Sequence, residues 1–335
     1  MSTKRIVVVV VILALGLGTL PAQTAIDQLA TDLQTVLVEL GEDMVPNLQT
    51  AAILNHGLGS AELGNFPHMY VSMSAGATVA PGVLEFTRDE DKFENFGLID
   101  QLLDDAGLND ADVRDITDNY APYPSLRLGY GVGLMGGYEV SLQAGIAPQA
   151  IADLAGQDGL TASITTIGTR VRKVLVRRDR GVPAISAGLG YVYSSIDFGY
   201  DLADVDPLEV SGTTTLDVDG EASFKVNTHS FGFDVRASTK VLGFSYPFIG
   251  MTTYYQVSNF EAGVDGFSGV LTVSGTPSNV TSNVQPFTDK DYRNFNVVLN
   301  TGFDMKFTIF NLFAHLNYAV STRAPGAILG MRVQL

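Results

Sequence analysis

The chain has no cysteine and no tryptophan among its 335 residues. Without cysteine there is no disulfide, no thiolate metal site and no lipid-modified amino terminus. Without tryptophan there is no Trp-anchored core of the kind many β-sandwiches use. Positive charge is scarce as well, with 20 Lys and Arg against 36 Asp and Glu and a net charge of −16. Beyond the first two dozen residues no apolar run approaches the roughly 20 residues of a membrane-spanning helix. Yet 46% of the residues are hydrophobic and only 17% are charged. Apolar content this high, spread without long blocks, must be carried by alternation.

The one apolar block lies at the start. "MSTKRIVVVVVILALGLGTLPA" (1–22) has Lys4 and Arg5, an apolar run from Ile6 to Leu17, then small residues and Pro21. That order is expected of a secretory signal, cleaved after Ala22 or Ala25. Export of a cysteine-free protein of this length points to the bacterial envelope.

Alternation fills the rest. "HMYVSMSAGATV" (68–79) sets Met69, Val71, Met73, Ala75, Ala77 and Val79 against His68, Tyr70, Ser72, Ser74, Gly76 and Thr78. "LRLGYGVGL" (126–134), "YEVSLQAGI" (138–146), "FGFDVRA" (231–237), "NFNVVLNTGF" (294–303) and "NLFAHLNYAV" (311–320) repeat the pattern. Successive strand residues point to opposite faces, so each ladder has one apolar face and one polar or glycine-rich face. Ladders near the nine to eleven residues of a tilted membrane stave fit a transmembrane β-barrel. A secreted sandwich has the same local pattern, but the export signal and the apolar final strand favour the barrel. The expected fold is all-β: a closed antiparallel transmembrane β-barrel of 10–14 strands with an N-terminal helical plug or cap. Ten ladders are clear, and "VSGTTTLDV" (210–218) and "GVLTVSG" (269–275) are either hairpin extensions or further staves. Turns at 135–137, 177–181, 238–245 and 305–310 are short; most other connections are long, as in outer-membrane barrels.

The lumen-lining candidates are the polar-face residues Arg127, Glu139, Arg170, Arg172, Asp234, Arg236, His315, Asn317 and Arg332. Arg177, Arg178 and Arg180 mark a periplasmic turn, since lipid-facing charge is tolerated only near the interface. "GAILGMRVQL" (326–335) ends the chain inside an apolar ladder, as a closing strand would. It resembles the C-terminal assembly signal of bacterial outer-membrane proteins, with Gly330, Val333 and Leu335 at matching positions; Leu335 replaces the usual terminal aromatic, and Ile328 sits where a polar residue is common. That resemblance implies recognition by the outer-membrane assembly machinery.

Residues 23–66 are not strand-like. "TAIDQLATDLQTVLVEL" (24–40) spaces Ile26, Leu29, Leu33 and Leu37 as one stripe of an amphipathic helix, with Thr24 as cap and Gly41 as its end. "PNLQTAAILNHG" (46–57) predicts a second, short helix with Pro46 in its first turn. A lumen plug and a periplasmic cap are both open. The domain division expected is thus 1–22 signal peptide, 23–66 helical plug or cap and 67–335 barrel. An N-terminal segment of this length before a barrel resembles the FadL-like fatty-acid transporter class, although that family's Asn-Pro-Ala start is replaced by Pro46-Asn47 in reverse order. Ser238-Thr239-Lys240-Val241-Leu242 and Tyr246-Pro247 resemble the periplasmic turn of small outer-membrane families. The first resemblance implies passive passage of small apolar or amphiphilic solutes; neither carries over a site residue.

Loop 81–124 holds twelve carboxylates, from Glu85 to Asp118, against three cations. It reads equally as a lid and as a solvated surface loop. Asp110, Asp112 and Asp115 lack the remaining positions of a calcium loop, so no metal is expected. Of the four histidines, His229 adjoins Ser230 on a strand and faces the opposite way, which excludes that pair as a dyad. No enzyme, no cofactor and no nucleic-acid partner is expected. The expected location is the bacterial outer membrane, with lipid and a small-molecule solute as partners. A structural or adhesive surface protein is the alternative.

Overall fold

The computed structural model describes residues 38, 41–42, 45–54, 59–61, 68–80, 121–147, 160–179, 181–201, 208–211, 214–241, 243–273, 276–281 and 287–334. Among them run twelve strands: β1 (His68–Ala80), β2 (Ala121–Leu134), β3 (Tyr138–Ala147), β4 (Leu160–Val176), β5 (Ala184–Asp201), β6 (Leu208–Ser211), β7 (Thr214–Ser238), β8 (Ser245–Val273), β9 (Thr276–Thr281), β10 (Phe287–Lys306), β11 (Phe310–Ala319) and β12 (Ala324–Gln334). Ten of them form a ring in which every neighbour is antiparallel: β1-β2-β3-β4-β5-β7-β8-β10-β11-β12. β12 returns to β1, with Val71 opposite Val333 and Ser74 opposite Gly330. Closure leaves no strand edge in the ring, which lipid demands because it cannot satisfy an open backbone.

The two doubtful ladders are not staves. β6 pairs only with the far end of β7, and β9 only with the far end of β8. The count is therefore ten, not twelve or fourteen. β7 and β8 reach 25 and 29 residues and stay paired from Ser238–Phe248 out to Thr214–Val273. They form a tall hairpin wall that stands above the rest of the rim.

Short connections gather at the end that also holds His68 and Gln334. The Met135-Gly136-Gly137 turn has both glycines at φ +77°, a backbone only glycine takes without strain. At the opposite end the 320–323 turn places Arg323 at φ +53°.

A short helix over residues 45–54 lies inside the ring. Pro46 occupies its first turn, where a missing N–H costs nothing, and Thr50 Oγ1 donates to the Pro46 carbonyl at 2.9 Å. Gly41 does not end a helix: it and Glu42 are themselves helical. A Cβ at Gly41 would stand 2.5 Å from the Phe260 ring, so this glycine serves close approach to the wall. The proposed signal peptide and the stripe of Ile26, Leu29, Leu33 and Leu37 lie outside the described residues, as do the acidic loop from 81 to 120 and Leu335.

Candidate functional site: the occupied lumen

Alternation sends one side chain of every pair inward, and the inward residues are mostly polar, glycine or aromatic. On β2 Arg127 is buried while Leu126 and Leu128 are exposed; on β3 Glu139 and Ser141 are buried beside exposed Val140 and Leu142. Inward glycines let large neighbours lie across the wall. The Tyr70 ring covers Gly131 on β2, and the Phe313 ring covers Gly330 on β12, where any Cβ would overlap them.

The half of the lumen nearest the short turns is packed with charge. Asp234 accepts from Arg170 Nε at 3.0 Å and Nη2 at 2.9 Å, and from Arg236 Nε at 3.0 Å and Nη2 at 2.7 Å. Glu139 accepts from Arg172 Nη2 at 3.0 Å and from the Tyr70 hydroxyl at 3.4 Å. His315 Nε2 lies 3.1 Å from Asp304 Oδ1, with its ring stacked on Phe313 and edge-on to Phe248. Arg332 stacks over the Tyr70 ring, 4.4 Å from its centre, and reaches Phe313. Most of these groups are under a tenth exposed, so each charge is held by a partner rather than by bulk water.

Residues 59–61 are tied into this network through their backbone. Ser60 N–H donates to Asp304 Oδ2 at 2.7 Å, and the Ser60 carbonyl accepts from Arg172 Nη1 at 2.8 Å. Arg236 Nη1 donates to the Gly59 carbonyl at 3.0 Å, and Ala61 N–H donates to Ser238 Oγ at 3.0 Å.

The helix over 45–54 is held in the same way. Arg127 Nη2 donates to the Ala52 carbonyl at 2.9 Å and Asn317 Nδ2 to the Leu54 carbonyl at 2.8 Å, at its C-terminal end where carbonyls lack helical partners. Gln256 donates to the Gln49 carbonyl at 3.0 Å, and Gln49 Nε2 to Ser258 Oγ at 2.7 Å. Thr50 meets Asn296 Nδ2 at 3.0 Å and the Thr322 hydroxyl at 3.0 Å. Its apolar residues meet the few apolar inward positions. Val45 and Leu48 pack with Ile196, Val226, Phe260 and Ala262, and Ile53 and Leu54 with Tyr254, Val298, Ala319 and Ala324. Lys290 pairs with Glu42 at the far rim.

On the side of the lumen facing β3, β4, β5, β7 and β8 a small polar gap remains. Ser141, Gln143, Arg170, Asp234, Thr252 and Tyr254 line it, polar groups of the kind that hold ordered water.

All nine lumen-lining candidates named above are inward. Arg170, Asp234 and Arg236 meet in one cluster and Arg172 with Glu139 in another, while Arg127 and Asn317 hold the helix. Gly330 and Val333 lie in the β1–β12 seam. Asp304, Gln256, Ser258 and Asn296 were missed. Asp304 was findable, since it continues the inward phase of Asn296, Asn300 and Gly302 on β10. The backbone role of Gly59 and Ser60 leaves no side-chain signal.

The outside of the barrel is the reverse of a soluble protein. Leu329, Leu189 and Ile249 are 66–67% exposed. Across β5, β7, β8 and β10 the outward residues pair in rows: Leu189 with Phe233, then Tyr191, Phe231, Tyr255 and Phe295 as one aromatic row. Four residues further out the row is Ser195, Asn227, Asn259 and Asp291, and beyond it Asp197, Lys225, Glu261 and Asp289. Phe244, stacked on Phe307 at the other margin, lies in the turn before β8, eleven residues before Tyr255. An apolar band of stave length, edged by aromatics and then by charge, on a ring without edges, is the signature of a bilayer-spanning barrel. The chain is an outer-membrane β-barrel. Its location is the bacterial outer membrane.

This outer-membrane barrel matches no family model and no curated protein. Among solved structures it is similar to the translocator domain of the autotransporter NalP from Neisseria meningitidis, at 10% identity and TM-score 0.34, covering 88% of this chain and 96% of that one. The outer membrane protease OmpT from Escherichia coli matches at 7% identity and TM-score 0.37, over 82% and 100% of the two chains. A Pseudomonas aeruginosa FadL homologue matches at 6% identity and TM-score 0.27, over 80% and 90%. Likeness this distant carries nothing about activity or substrate.

Proposed function

We propose that the protein is a passive conduit for small amphiphilic solutes, closed at rest by its N-terminal segment, residues 23–66, which acts as a displaceable plug. The observation that carries this reading is the way the helix over 45–54 is held. Four aliphatic side chains, Val45, Leu48, Ile53 and Leu54, are buried in the lumen. At about 1.5–3 kcal/mol each they contribute roughly 6–12 kcal/mol. Six hydrogen bonds to the wall add about 1 kcal/mol apiece. Ordering ten backbone residues costs about 10–20 kcal/mol. The balance lies near zero, as a movable segment requires. An apolar solute entering past Val226, Phe260 and Ala262 competes for the same surface. The guanidinium and carboxylate groups deeper in the lumen suit the polar end of such a solute.

The alternative is a sealed structural barrel that displays its tall β7–β8 wall. The ion pairs filling the inner half of the lumen favour it. Single-channel recording separates the two. The conduit reading expects the refolded full chain to be mostly closed, and a chain lacking residues 23–66 to conduct. A truncated chain that folds, shown by heat-modifiable migration, but never conducts supports the sealed barrel.

A further inference from the structure

The chain inside the barrel runs one way, and its partners on the wall record the depth of each residue. Measured along β8, those partners descend in order. Gly41 lies against the Phe260 ring, close enough that an added Cβ would overlap it. Gln49 Nε2 donates to Ser258 Oγ, and the Gln49 carbonyl accepts from Gln256. Ile53 and Leu54 pack with Tyr254. The Gly59 carbonyl accepts from Arg236, which stands opposite Gly250, and Ala61 N–H donates to Ser238, opposite Phe248. Residue numbers rise from 41 to 61 while the β8 level falls from 260 to 248. A series this regular is a single passage with no turn back. The twelve strand residues between those levels, at about 3.3 Å each and tilted by about 40°, cover roughly 30 Å, the hydrocarbon thickness of a bilayer.

Both ends of the passage lie beyond the lipid-facing band. Ala61 is level with the last residue of β7, at the short turns that face the periplasm. At the other end Glu42 pairs with Lys290. Lys290 falls between Asp291 and Asp289 of the outer polar rows, five residues past Phe295 of the aromatic row. The two side chains are 47% and 43% exposed, so this pair stands in water at the mouth, not in the packed lumen. A return through the barrel would have to pass residues 59–61. There, among the described residues, Glu139, Arg172, Asp234, Arg236 and Asp304 are each 5% exposed or less, which leaves little width for a second backbone.

We propose that the chain enters its own barrel from outside, so that residues 23–40, ahead of Glu42, are displayed on the cell surface with the barrel as their anchor. The segment presented is acidic, with Asp27, Asp32 and Glu39 and no Lys or Arg. Display needs only the single threading, so it holds for a sealed barrel as well as for a conduit.

Because the chain has no cysteine, Gln28→Cys and Thr31→Cys, both off the apolar stripe, test this on intact cells with an impermeant maleimide. Each should be labelled as fully as Arg323→Cys before the outer membrane is opened, while Lys240→Cys is labelled only afterwards. Heat-modifiable migration shows that the labelled protein is a folded barrel. Labelling of the folded variants that waits for the outer membrane to be opened would put the segment in the periplasm and overturn the proposal. Labelling only after unfolding in urea would put it inside the lumen and overturn it equally. Neither result reads conductance, so the conduit reading is judged separately by channel recording.

Discussion

Replacing Asp234 by Asn tests the charged lumen at its most constrained point. Asp234 is 2% exposed and faces two guanidiniums, Arg236 fully buried and Arg170 with a 15% exposed side chain. An amide in its place turns an N–H₂ toward donors and removes the carboxylate that the two arginines share. Breaking one buried pair by deleting a partner costs about 3–5 kcal/mol, because the remaining charge stays desolvated. Here two cations lose the same carboxylate, which argues for the upper part of that range. Arg236 also donates to the Gly59 carbonyl, so the loss should spread to the 59–61 segment. The assay is urea unfolding of the barrel in lipid vesicles, followed by circular dichroism. Asp234→Asn should be less stable by about 4 kcal/mol. The triple variant Arg170→Met, Asp234→Leu, Arg236→Met, which removes all three charges together, should lose distinctly less. An Asn variant within about 0.5 kcal/mol of the parent would refute the reasoning, since that is the range of an unconstrained surface change.

Three further expectations follow from the same geometry. Leu128→Arg places a charge in the lipid band and should destabilise the barrel by about 2–4 kcal/mol in the same assay, whereas Asn259→Arg in the outer polar row should change it by about 0–1 kcal/mol; equal effects would mean the band is misplaced. Gly330→Val drives a side chain into the Phe313 ring and the β1–β12 seam, so the protein should lose heat-modifiable migration; a variant that keeps it would show the seam has slack. Because the chain has no cysteine, single cysteines report orientation cleanly. Arg323→Cys should react with an impermeant maleimide on intact cells and Lys240→Cys only after the outer membrane is opened, and the reverse pattern would invert the barrel.

The barrel was legible because its signal is local. Parity along β12 separates Leu329 and Met331 from Ile328 and Gly330 without any knowledge of neighbours, and the same holds for Arg127 against Leu128. Strand count was not legible. Residues 210–218 and 269–275 alternate as well as any stave, and only their pairing, each with one partner, shows them to be extensions. Gly41 misled for a related reason. A glycine after an apolar stripe is the usual mark of a helix end, while its close approach to Phe260, over two hundred positions away, exists only in the folded chain. The seven strands that contribute to the ion-pair network are likewise scattered, from Tyr70 to Arg332. Each was an inward polar residue in the sequence, but which carboxylate holds which guanidinium depends on register across the ring. The backbone bonds of Gly59 and Ser60 could not be read from residue types at all.

The central claim is that the helix over 45–54 closes the lumen and must move for a solute to pass. Thr50 and Thr322 meet at 3.0 Å between hydroxyl oxygens, close enough for cysteines there to approach the roughly 2.05 Å of a disulfide. The measurement is passage of a small amphiphilic solute into liposomes containing the Thr50→Cys, Thr322→Cys barrel, oxidised and then reduced. The account predicts no passage when the helix is locked and passage at the parent's rate after reduction. Passage at the parent's rate through the oxidised, folded barrel, or none through the reduced one, would contradict it.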